Sequence, residues 1–328
     1  MKKKPFTLIF EDVAAHFPEK TAIYWINFSN GFEAMSYEQL NRKANRLSSY
    51  LKSVCRSTNG VNIVAVCMDR TPNYLISLLA IWKAGFVYQP LDNQAEYTLI
   101  QERLSQAQTT YLLLDRGSKM KLGSLTLNLL HSCIEDLEQI FPVEEKYSQN
   151  PPNRSQLNDP AYLIASSGTT GRPKMIMNTF EGLPGRLNGF LKHIHLDVNS
   201  CVLGFSGYEF DASLMDIMIA LGTGSAILIV PSSVQQDIAG KLTALLVSAK
   251  EKNINISYAA LIPDVIELID PNLFLFNHLI TMGDKAHWPS LRKLIERGTS
   301  VFDGYGPTET SIAATLRLLT LDKSTGIV

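Results

Sequence analysis

The chain carries few cysteines, and none of them stands in a spacing that is typical of metal binding. The sequence of 328 residues has four cysteines, and no two of them form a Cys-x-x-Cys pair. Scattered cysteines of this kind predict a reducing compartment and no zinc site. The four positions are Cys55, Cys67, Cys133 and Cys201.

An excess of charge of one sign is also missing. The sequence has 30 Lys and Arg residues against 31 Asp and Glu residues, which gives a net charge of -1. A balanced chain has no overall field that would attract nucleic acid or anionic lipid. We therefore expect neither a nucleic acid nor a membrane as a partner.

No long hydrophobic run is present either. The longest uncharged apolar stretch covers residues 217–230 and contains two glycines, and it is shorter than the roughly 20 residues that cross a bilayer. The N-terminal Met-Lys-Lys-Lys is followed by Pro5 and not by the apolar segment of a signal peptide. Because 45% of the residues are apolar, the composition is that of a globular protein. We expect a soluble protein of the cytoplasm.

Short apolar runs alternate with helical patterns along most of the chain. Such alternation predicts an α/β fold, with right-handed crossovers around mostly parallel sheets. We expect two α/β halves, residues 1–150 and 151–328, that behave as one body. The predicted strands are 21–28, 63–67, 86–90, 110–114, 161–165, 202–205, 226–230, 256–259, 279–281 and 301–302, and the predicted helices are 7–17, 36–54, 73–85, 97–106, 213–221, 238–252 and 288–296.

Two of these helices have signals at their ends. Ser36 is followed three residues later by Gln39, which is the spacing of a reciprocal cap at a helix N-terminus. The helix over 73–85 finishes on Gly85, the residue type that helix C-termini favour. These signals predict a helix start at residue 36 and a helix end at residue 85.

The most informative stretch follows the strand at 161–165. Residues 166–174 read Ser-Ser-Gly-Thr-Thr-Gly-Arg-Pro-Lys, which is too polar and too rich in glycine to continue a strand or a helix. The glycines let backbone N–H groups approach an anion, and the hydroxyls, Arg172 and Lys174 add donors and charge. The loop therefore predicts a site for polyphosphate. Walker and protein-kinase loops have other spacings, and a plain polar surface turn is the alternative.

A second cluster lies near the C-terminal end, where residues 303–310 read Asp-Gly-Tyr-Gly-Pro-Thr-Glu-Thr. The glycines and the proline predict a turn that presents the ring of Tyr305 and the carboxylate of Glu309. A purine can stack on the ring, Glu309 is a suitable ligand for Mg²⁺, and Thr308 is a candidate donor to the α-phosphate. The alternative is a β-turn with a solvated glutamate.

A third cluster reads Phe210-Asp211-Ala212-Ser213 and directly precedes the predicted apolar helix 213–221. The Asp211 carboxylate can be stabilised by the dipole of that helix. Alternatively, it is a partly buried partner for the ammonium group of a substrate. Taken alone, the residues favour the helix cap.

These motifs together resemble those of the adenylate-forming superfamily, and Phe-Asp-x-Ser resembles its amino-acid adenylation domains in nonribosomal peptide synthetases. The stretch from Lys83-Ala-Gly85 to the Pro-Leu-Asp turn ending at Asp92 is similar to the superfamily as well. One departure is Met175, which stands where the family usually has Gly. The resemblance covers essentially the whole chain. It implies the large N-terminal domain of that fold, with two mostly parallel sheets flanked by helices and without the C-terminal subdomain.

The resemblance implies a reaction in which the carboxylate of an amino acid attacks the α-phosphorus of ATP. Aminoacyl-AMP and pyrophosphate are the products, and Mg²⁺ is the metal. The implied catalytic residues are Lys174, Thr170 and Glu309, of which Glu309 also holds the metal. The implied nucleotide-binding residues are Ser166, Ser167, Gly168, Thr169, Gly171, Gly283, Asp284, Lys285, Gly304, Tyr305, Gly306 and Thr308.

The resemblance also implies a pocket for the substrate side chain, with Asp211 pairing with the α-amino group. The other pocket positions carry no charge, so a polar substrate side chain would be left unpaired there. Small residues leave volume, and methionines adapt their shape. We therefore expect a hydrophobic amino acid of medium to large size. These positions are Ala212, Met215, Ala260, Ile280, Met282, Gly304, Ile312 and Ala313.

Superfamily members continue well past the Tyr-Gly-Pro-Thr-Glu motif, with an aspartate for the ribose and a mobile C-terminal domain that bears a catalytic lysine. No matching segment follows Glu309 in this sequence. The resemblance therefore implies a large N-terminal core that adenylates poorly alone, with carrier-protein and condensation modules elsewhere. Two alternatives stay open, namely the core of an acyl- or aryl-acid CoA ligase and a non-catalytic remnant that binds a ligand or docks a partner.

Overall fold

The computed structural model describes residues 4–27, 31–55, 60–122, 129–140, 149–152, 155–166, 174–322 and 326–327. The helices are α1 (Phe6–His16), α2 (Tyr37–Val54), α3 (Pro72–Ala84), α4 (Tyr97–Gln106), α5 (Arg116–Leu122), α6 (Ile134–Ile140), α7 (Gly182–Leu191), α8 (Ala212–Thr223), α9 (Ser232–Gln235), α10 (Ile238–Glu251), α11 (Pro263–Glu267) and α12 (Trp288–Glu296). A short 3-10 turn covers Thr308–Thr310.

The strands are β1 (Thr21–Asn27), β2 (Gly31–Ser36), β3 (Ile63–Cys67), β4 (Val87–Pro90), β5 (Tyr111–Leu114), β6 (His131–Cys133), β7 (Pro160–Ser166), β8 (Lys174–Thr179), β9 (Cys201–Gly204), β10 (Ala226–Ile229), β11 (Ile256–Leu261), β12 (His278–Thr281), β13 (Ser300–Tyr305), β14 (Thr315–Leu318), β15 (Leu321–Asp322) and β16 (Gly326–Ile327). The strands and helices predicted from the sequence are all present, with ends that differ by a few residues.

Both helix-end signals act as the sequence predicts. The side-chain oxygen of Ser36 accepts a hydrogen bond from the backbone N–H of Gln39 at 3.2 Å, and the backbone N–H of Ser36 donates to Gln39 Oε1 at 3.0 Å. At the C-terminal end of α3, Gly85 has a φ of 78°. A side chain with a Cβ rarely adopts that left-handed backbone, which explains the glycine.

Contacts divide the chain into two compact units. Unit 1 comprises Met1–Glu19, Met35–Gly185 and Tyr208–Asp211, and unit 2 comprises Lys20–Ala34, Arg186–Gly207 and Ala212–Val328. The division differs from the predicted boundary near residue 150. The reason is that β7 follows that residue in sequence but pairs with β4 of unit 1, where Tyr88 lies opposite Tyr162.

Unit 1 is built on a six-stranded sheet with the strand order β6-β5-β3-β4-β7-β8. Neighbouring strands are parallel from β6 to β7, whereas β8 runs antiparallel to β7. The strands β3, β4 and β5 are buried along their whole length. Burial on both faces explains why β3 and β5 read as continuous apolar runs without alternation.

A tryptophan of α3 holds β7, the strand that leads into the predicted phosphate loop. The indole N–H of Trp82 donates to the carbonyl oxygen of Ala161 at 2.8 Å. Its ring packs edge-on against Phe6 and Phe180. The direction of β7 is thus set by buried aromatic packing and a buried hydrogen bond.

Unit 2 contains an eight-stranded sheet with the order β14-β13-β12-β11-β9-β10-β1-β2, apart from the last two residues of β2. Neighbouring strands from β13 to β1 are parallel, and β14 runs antiparallel to β13. One core cluster joins this sheet to α10 and α12. The prediction of two mostly parallel sheets flanked by helices is confirmed.

A buried ion pair lies in unit 1. Lys83 of α3 donates to the carboxylate of Glu11 of α1, and their side chains are 0% and 12% exposed. Lys83 Nζ also donates to Asn150 Oδ1 at 3.4 Å. Burial lowers the pKa of Lys83, and the charge of Glu11 opposes that shift only in part. The pair therefore ties α1 to α3 at the expense of desolvating both charges.

We expect the substitution Lys83→Met to destabilise the chain by about 3–5 kcal/mol, because it leaves the Glu11 carboxylate buried without its cation. The double substitution Lys83→Met with Glu11→Gln should restore most of that loss. Urea unfolding followed by circular dichroism measures both. The exposed lysine of the Lys119–Asp136 pair supplies the control, and Lys119→Met should leave the unfolding midpoint nearly unchanged. Equal stability of the two single variants would contradict this account.

The described helices and cysteines bear on membrane insertion and on thiol chemistry. Of the helices that they form, none combines the length and the apolar character needed to cross a membrane. All four cysteines are buried and carry free thiols. Burial raises the pKa of Cys55 and of Cys67 to about 12, so these two thiols are poor nucleophiles.

Candidate nucleotide and amino-acid site

The predicted phosphate loop joins two antiparallel strands. Ser166 ends β7 and Lys174 begins β8, and the two residues lie opposite each other in the sheet. The Ser166 hydroxyl donates to the carbonyl oxygen of Lys174 at 3.5 Å, and Lys174 is exposed. The loop residues between them lie outside the described residues, so their phosphate role stays a prediction; they include Ser167, Gly168, Thr169, Thr170 and Gly171.

The departure from the family pattern at residue 175 has a structural basis. Met175 lies in β8 opposite Ala165. Its side chain packs against a small core cluster made of Ile63, Val87, Ala107 and Leu163. A glycine would leave that cluster uncovered, so this chain uses the position for packing.

The second cluster forms a turn at the carboxyl end of β13. Tyr305 is the last residue of that strand, and its side chain is 68% exposed. Glu309 lies in the 3-10 turn that follows and is also exposed. A flat aromatic face and a carboxylate therefore stand four residues apart on the surface of unit 2. Both are accessible to a ligand, as a nucleotide site requires.

The backbone around this turn is tightly packed. A Cβ added at Gly306 would lie 2.4 Å from Ala313 Cα and 2.6 Å from the backbone nitrogen of Ala314. That nitrogen donates to the carbonyl oxygen of Tyr305 at 2.8 Å. Only glycine therefore fits at residue 306. The close approach keeps Tyr305 beside the segment that follows the turn.

The same segment contains unusual backbone angles. Ser311 has a φ of 58°, and the buried Ile312 has a φ of 76°. Left-handed backbone at a β-branched residue is a genuine outlier and costs about 1–3 kcal/mol per position. Such strain persists only where surrounding contacts enforce it, and it concentrates at functional sites.

An arginine that the sequence analysis did not single out reaches this turn. Arg186 of α7 donates through Nε and Nη2 to the carbonyl oxygen of Thr310, at 3.2 and 2.9 Å, and through Nε to that of Ser311 at 3.3 Å. Because 124 residues separate Arg186 from Thr310, no local pattern could have indicated the contact.

Several predicted pocket positions come together on one face of the sheet in unit 2. Ala260 of β11 lies opposite Ile280 of β12. A Cβ added at Gly304 of β13 would lie 3.1 Å from Ile280 Cγ2 and 3.6 Å from Met282 Cβ. The other face of the same strands, with Leu279, contributes to the core under α10 and α12. Alternation along the strands therefore places the predicted pocket positions on the opposite face, where Ala260 and Ile280 are also buried.

The comparisons with known proteins decide the family. The sequence profile of the AMP-binding enzyme family matches residues 10–328. The chain belongs to that family.

Among curated relatives of this chain, bacitracin synthase 3 of Bacillus licheniformis is 29% identical over 314 residues, which cover 95% of this chain and 5% of the relative. Tyrocidine synthase 1 of Brevibacillus parabrevis is 30% identical over 312 residues, which cover 94% of this chain and 27% of the relative. The chain thus spans a small part of these relatives.

A solved structure of the N-terminal subdomain of Klebsiella oxytoca NpsA, in complex with 3-hydroxybenzoyl-AMSN, superimposes with a TM-score of 0.82. The sequence identity is 24%, and the match covers 98% of this chain and 77% of that one. This similarity shows the fold, and it confirms the large N-terminal domain predicted from the sequence.

In this chain, Asp211 directly precedes α8 and is 8% exposed. The short segment that ends on it belongs to unit 1. Tyr208 anchors the segment, because its ring stacks on that of Tyr74 at 3.8 Å and the Arg70 guanidinium lies 4.3 Å from its centroid. The carboxylate is therefore held in place by aromatic packing three residues away.

The remaining predicted residues lie in unit 2. Ala212 and Met215 belong to α8, which packs against β9, β10 and β11. Ile312 and Ala313 follow the 3-10 turn, and Ile312 is one of the two residues with left-handed backbone. Gly283, Asp284 and Lys285 form an exposed turn after β12, in which Asp284 Oδ1 accepts the backbone N–H of Lys285 at 2.6 Å. The predicted convergence of Lys174, Asp211 and Glu309 involves both units and stays a prediction.

Proposed function

We propose that the chain is the core of an enzyme that activates a hydrophobic amino acid as its adenylate. The amino-acid carboxylate oxygen forms a bond to the α-phosphorus of ATP, the bond from that phosphorus to the β-phosphate bridge oxygen breaks, and pyrophosphate leaves with the electron pair. The observation that carries the proposal is that β13 contributes to the predicted side-chain pocket and then leads directly into the turn at residues 305–310, which we call the nucleotide turn. Gly304 packs on the apolar face with Ile280 and Met282, and the next residue is Tyr305, which opens the nucleotide turn.

The apolar face supports a hydrophobic side chain as the substrate group. Its predicted members carry no charge, and Ala260 and Ile280 are almost fully buried. A polar substrate side chain placed there would lose its water without gaining a hydrogen bond, at a cost of about 1–3 kcal/mol. A Cβ at Gly304 would crowd Ile280 Cγ2 at 3.1 Å, so the glycine keeps the strand from filling this face further.

The nucleotide turn fits ATP and Mg²⁺ by its chemistry. Tyr305 offers an exposed ring on which adenine would stack. Because Gly306 has no Cβ, the backbone of the turn lies close to that of Ala313. Glu309 would hold Mg²⁺, which when bound neutralises phosphate charge. Thr308 would donate to the α-phosphate, and Gly283, Asp284 and Lys285 would line the adenine.

Residues of unit 1 carry the remaining proposed roles. Lys174, Thr170 and the hydroxyls and backbone of Ser166–Gly171 would bind the departing phosphates and stabilise their developing charge. Asp211 would pair with the α-ammonium group and so orient the carboxylate for in-line attack. Peptide synthetases among the relatives favour carrier-protein and condensation modules as partners of the whole protein.

Binding of non-hydrolysable adenylate analogues tests the proposal. We expect aminoacyl sulfamoyl-adenosines with Leu or Phe side chains to raise the melting temperature of the chain, by mass action. Analogues with Asp or Lys side chains should not. Tyr305→Ala should weaken every analogue by about 1–3 kcal/mol, the worth of base stacking on an aromatic ring. Trp288→Ala, at another exposed aromatic of unit 2, is the matched control. A chain that no analogue stabilises would instead be a non-catalytic remnant.

A second candidate is activation of an aryl acid that lacks an α-amino group. The similar NpsA subdomain was solved with 3-hydroxybenzoyl-AMSN, whose acyl group is of this kind. This candidate predicts that an aryl analogue binds more tightly than any aminoacyl analogue. The role of Asp211 separates the two candidates.

A further inference from the structure

We propose that Arg186 is a positioning residue that fixes the 3-10 turn Thr308–Thr310, and with it Glu309, in the geometry that binds the metal. The inference rests on the proposed function in assigning Mg²⁺ to Glu309. Nothing in the motifs of the sequence points to this arginine. Its role follows from its contacts with the backbone of the turn.

The guanidinium caps the carboxyl end of the turn. Its Nε and Nη2 groups converge on the carbonyl oxygen of Thr310, and Nε also reaches that of Ser311. Hydrogen bonds from a charged donor are stronger than neutral ones. A 3-10 turn of three residues offers few internal bonds, so these contacts are a large part of what holds it.

Internal hydrogen bonds also hold the turn. The backbone N–H and the hydroxyl of Thr310 both donate to the carbonyl oxygen of Pro307, at 2.9 and 2.8 Å. The backbone N–H of Ser311 donates to the carbonyl oxygen of Thr308 at 3.1 Å. Carbonyl groups at the end of a helical turn need further donors. Arg186 supplies them at Thr310, and at Ser311 it adds to the backbone N–H of Ala313, which donates at 3.0 Å.

The chain leaves the turn through strained backbone, which explains why an outside clamp is needed. Ser311 and Ile312 both have left-handed φ angles. Relaxation of either angle would redirect the chain immediately after Glu309. Arg186 holds the carbonyl group of Ser311 itself and therefore opposes that relaxation. On the other side, the close contact of Gly306 with Ala313 prevents the turn from sliding.

A lysine would not replace this arginine fully. The guanidinium is a rigid, planar fork that serves two carbonyl oxygens at once, whereas an ammonium group is a point charge on a flexible stem. Arg186→Lys should therefore keep part of the function, and Arg186→Met should lose it. Arg292, which is exposed on α12 and pairs with Glu296 at 2.8 Å, supplies the control variant Arg292→Met.

Hydrogen exchange of the ligand-free chain tests the clamp. We expect amides of residues 305–316 to exchange about tenfold faster in Arg186→Met than in the wild type, with Arg186→Lys between them. Arg292→Met should leave these amides unchanged. Equal exchange in the two methionine variants would overturn the clamp. If Arg186→Met does not fold, Arg186→Lys carries the comparison.

A Mg²⁺ titration of ATP binding tests the link to Glu309. We expect Arg186→Met and Glu309→Gln each to raise the Mg²⁺ concentration for half-maximal binding about tenfold, and the double variant to be no worse than Glu309→Gln alone. Millimolar guanidinium should partly restore Mg²⁺-dependent ATP binding in the Arg186→Met variant. It should not do so in the double variant, which lacks Glu309. If the effects of the two substitutions on the Mg²⁺ concentration add up in the double variant, Arg186 does not act through Glu309. If wild-type chain binds no ATP, the proposed function and the metal role fail together, while the exchange result still decides the clamp.

Discussion

Substitution of Asp211 by alanine is expected to remove the preference of the chain for ligands with an α-amino group. The carboxylate is 8% exposed, so an ammonium bound to it is shielded from water. Removing one partner of a buried, hydrogen-bonded charge pair costs about 2–5 kcal/mol, or roughly three hundredfold in affinity at the midpoint. Calorimetry with phenylalanyl and 3-phenylpropionyl sulfamoyl-adenosine, which differ only in the amine, measures this preference directly.

Two further variants sharpen the Asp211 experiment. Asp211→Asn keeps the size of the side chain and should lose the amine preference as alanine does. Glu209→Gln alters a carboxyl group in the same anchored segment and should leave the preference intact; burial already raises the pKa of Glu209, and Asp92 adds to that shift. If Asp211→Ala binds the amine ligand as the wild type does, Asp211 is a helix-terminal carboxylate only. A wild-type preference for the amine-free ligand would support the aryl-acid candidate.

The second large effect is expected for Gly306→Ala. The new Cβ would lie 2.4 Å from Ala313 Cα, and backbone on both sides cannot move aside as a flexible side chain does. Overpacking of this kind costs about 1–3 kcal/mol of stability. The displacement also separates Tyr305 from the segment that follows the turn. We therefore expect nucleotide binding to fall below detection in calorimetry, together with a lower melting temperature.

The matched control for Gly306→Ala is Gly189→Ala. Gly189 lies in α7, and a Cβ added there meets nothing within 4 Å. Alanine is a better helix former than glycine, so this variant should be at least as stable as the wild type and should bind nucleotide normally. Similar behaviour of the two variants would show that the turn tolerates a side chain and would refute the close-packing argument.

Local sequence patterns predicted much of the secondary structure because the deciding interactions are short in range. The cap formed by Ser36 and Gln39 joins residues three apart, and the left-handed Gly85 ends its own helix. Continuous apolar runs such as β3 revealed strands buried on both faces. The antiparallel strands β8 and β14 escaped prediction because their burial is mixed and their pairing, not their composition, makes them strands.

The motifs likewise identified the family and the candidate residues, but not the contacts that support them. The stacking of Tyr208 on Tyr74, which assigns the Asp211 segment to unit 1, joins residues far apart in the chain. The pairing of β7 with β4 also joins residues far apart in the chain, and it places β7 in unit 1 although the predicted boundary lies near residue 150.

The sequence by itself determined the α/β class, two helix ends and the motifs that identify the candidate site residues, because each follows from composition or from near neighbours. Only the tertiary structure decided which partners fix those residues. Arg186 binds the carbonyl oxygen of Thr310, and Ala313 excludes a side chain at Gly306. Both contacts form only when the folded chain brings these segments together, so local sequence patterns do not predict them.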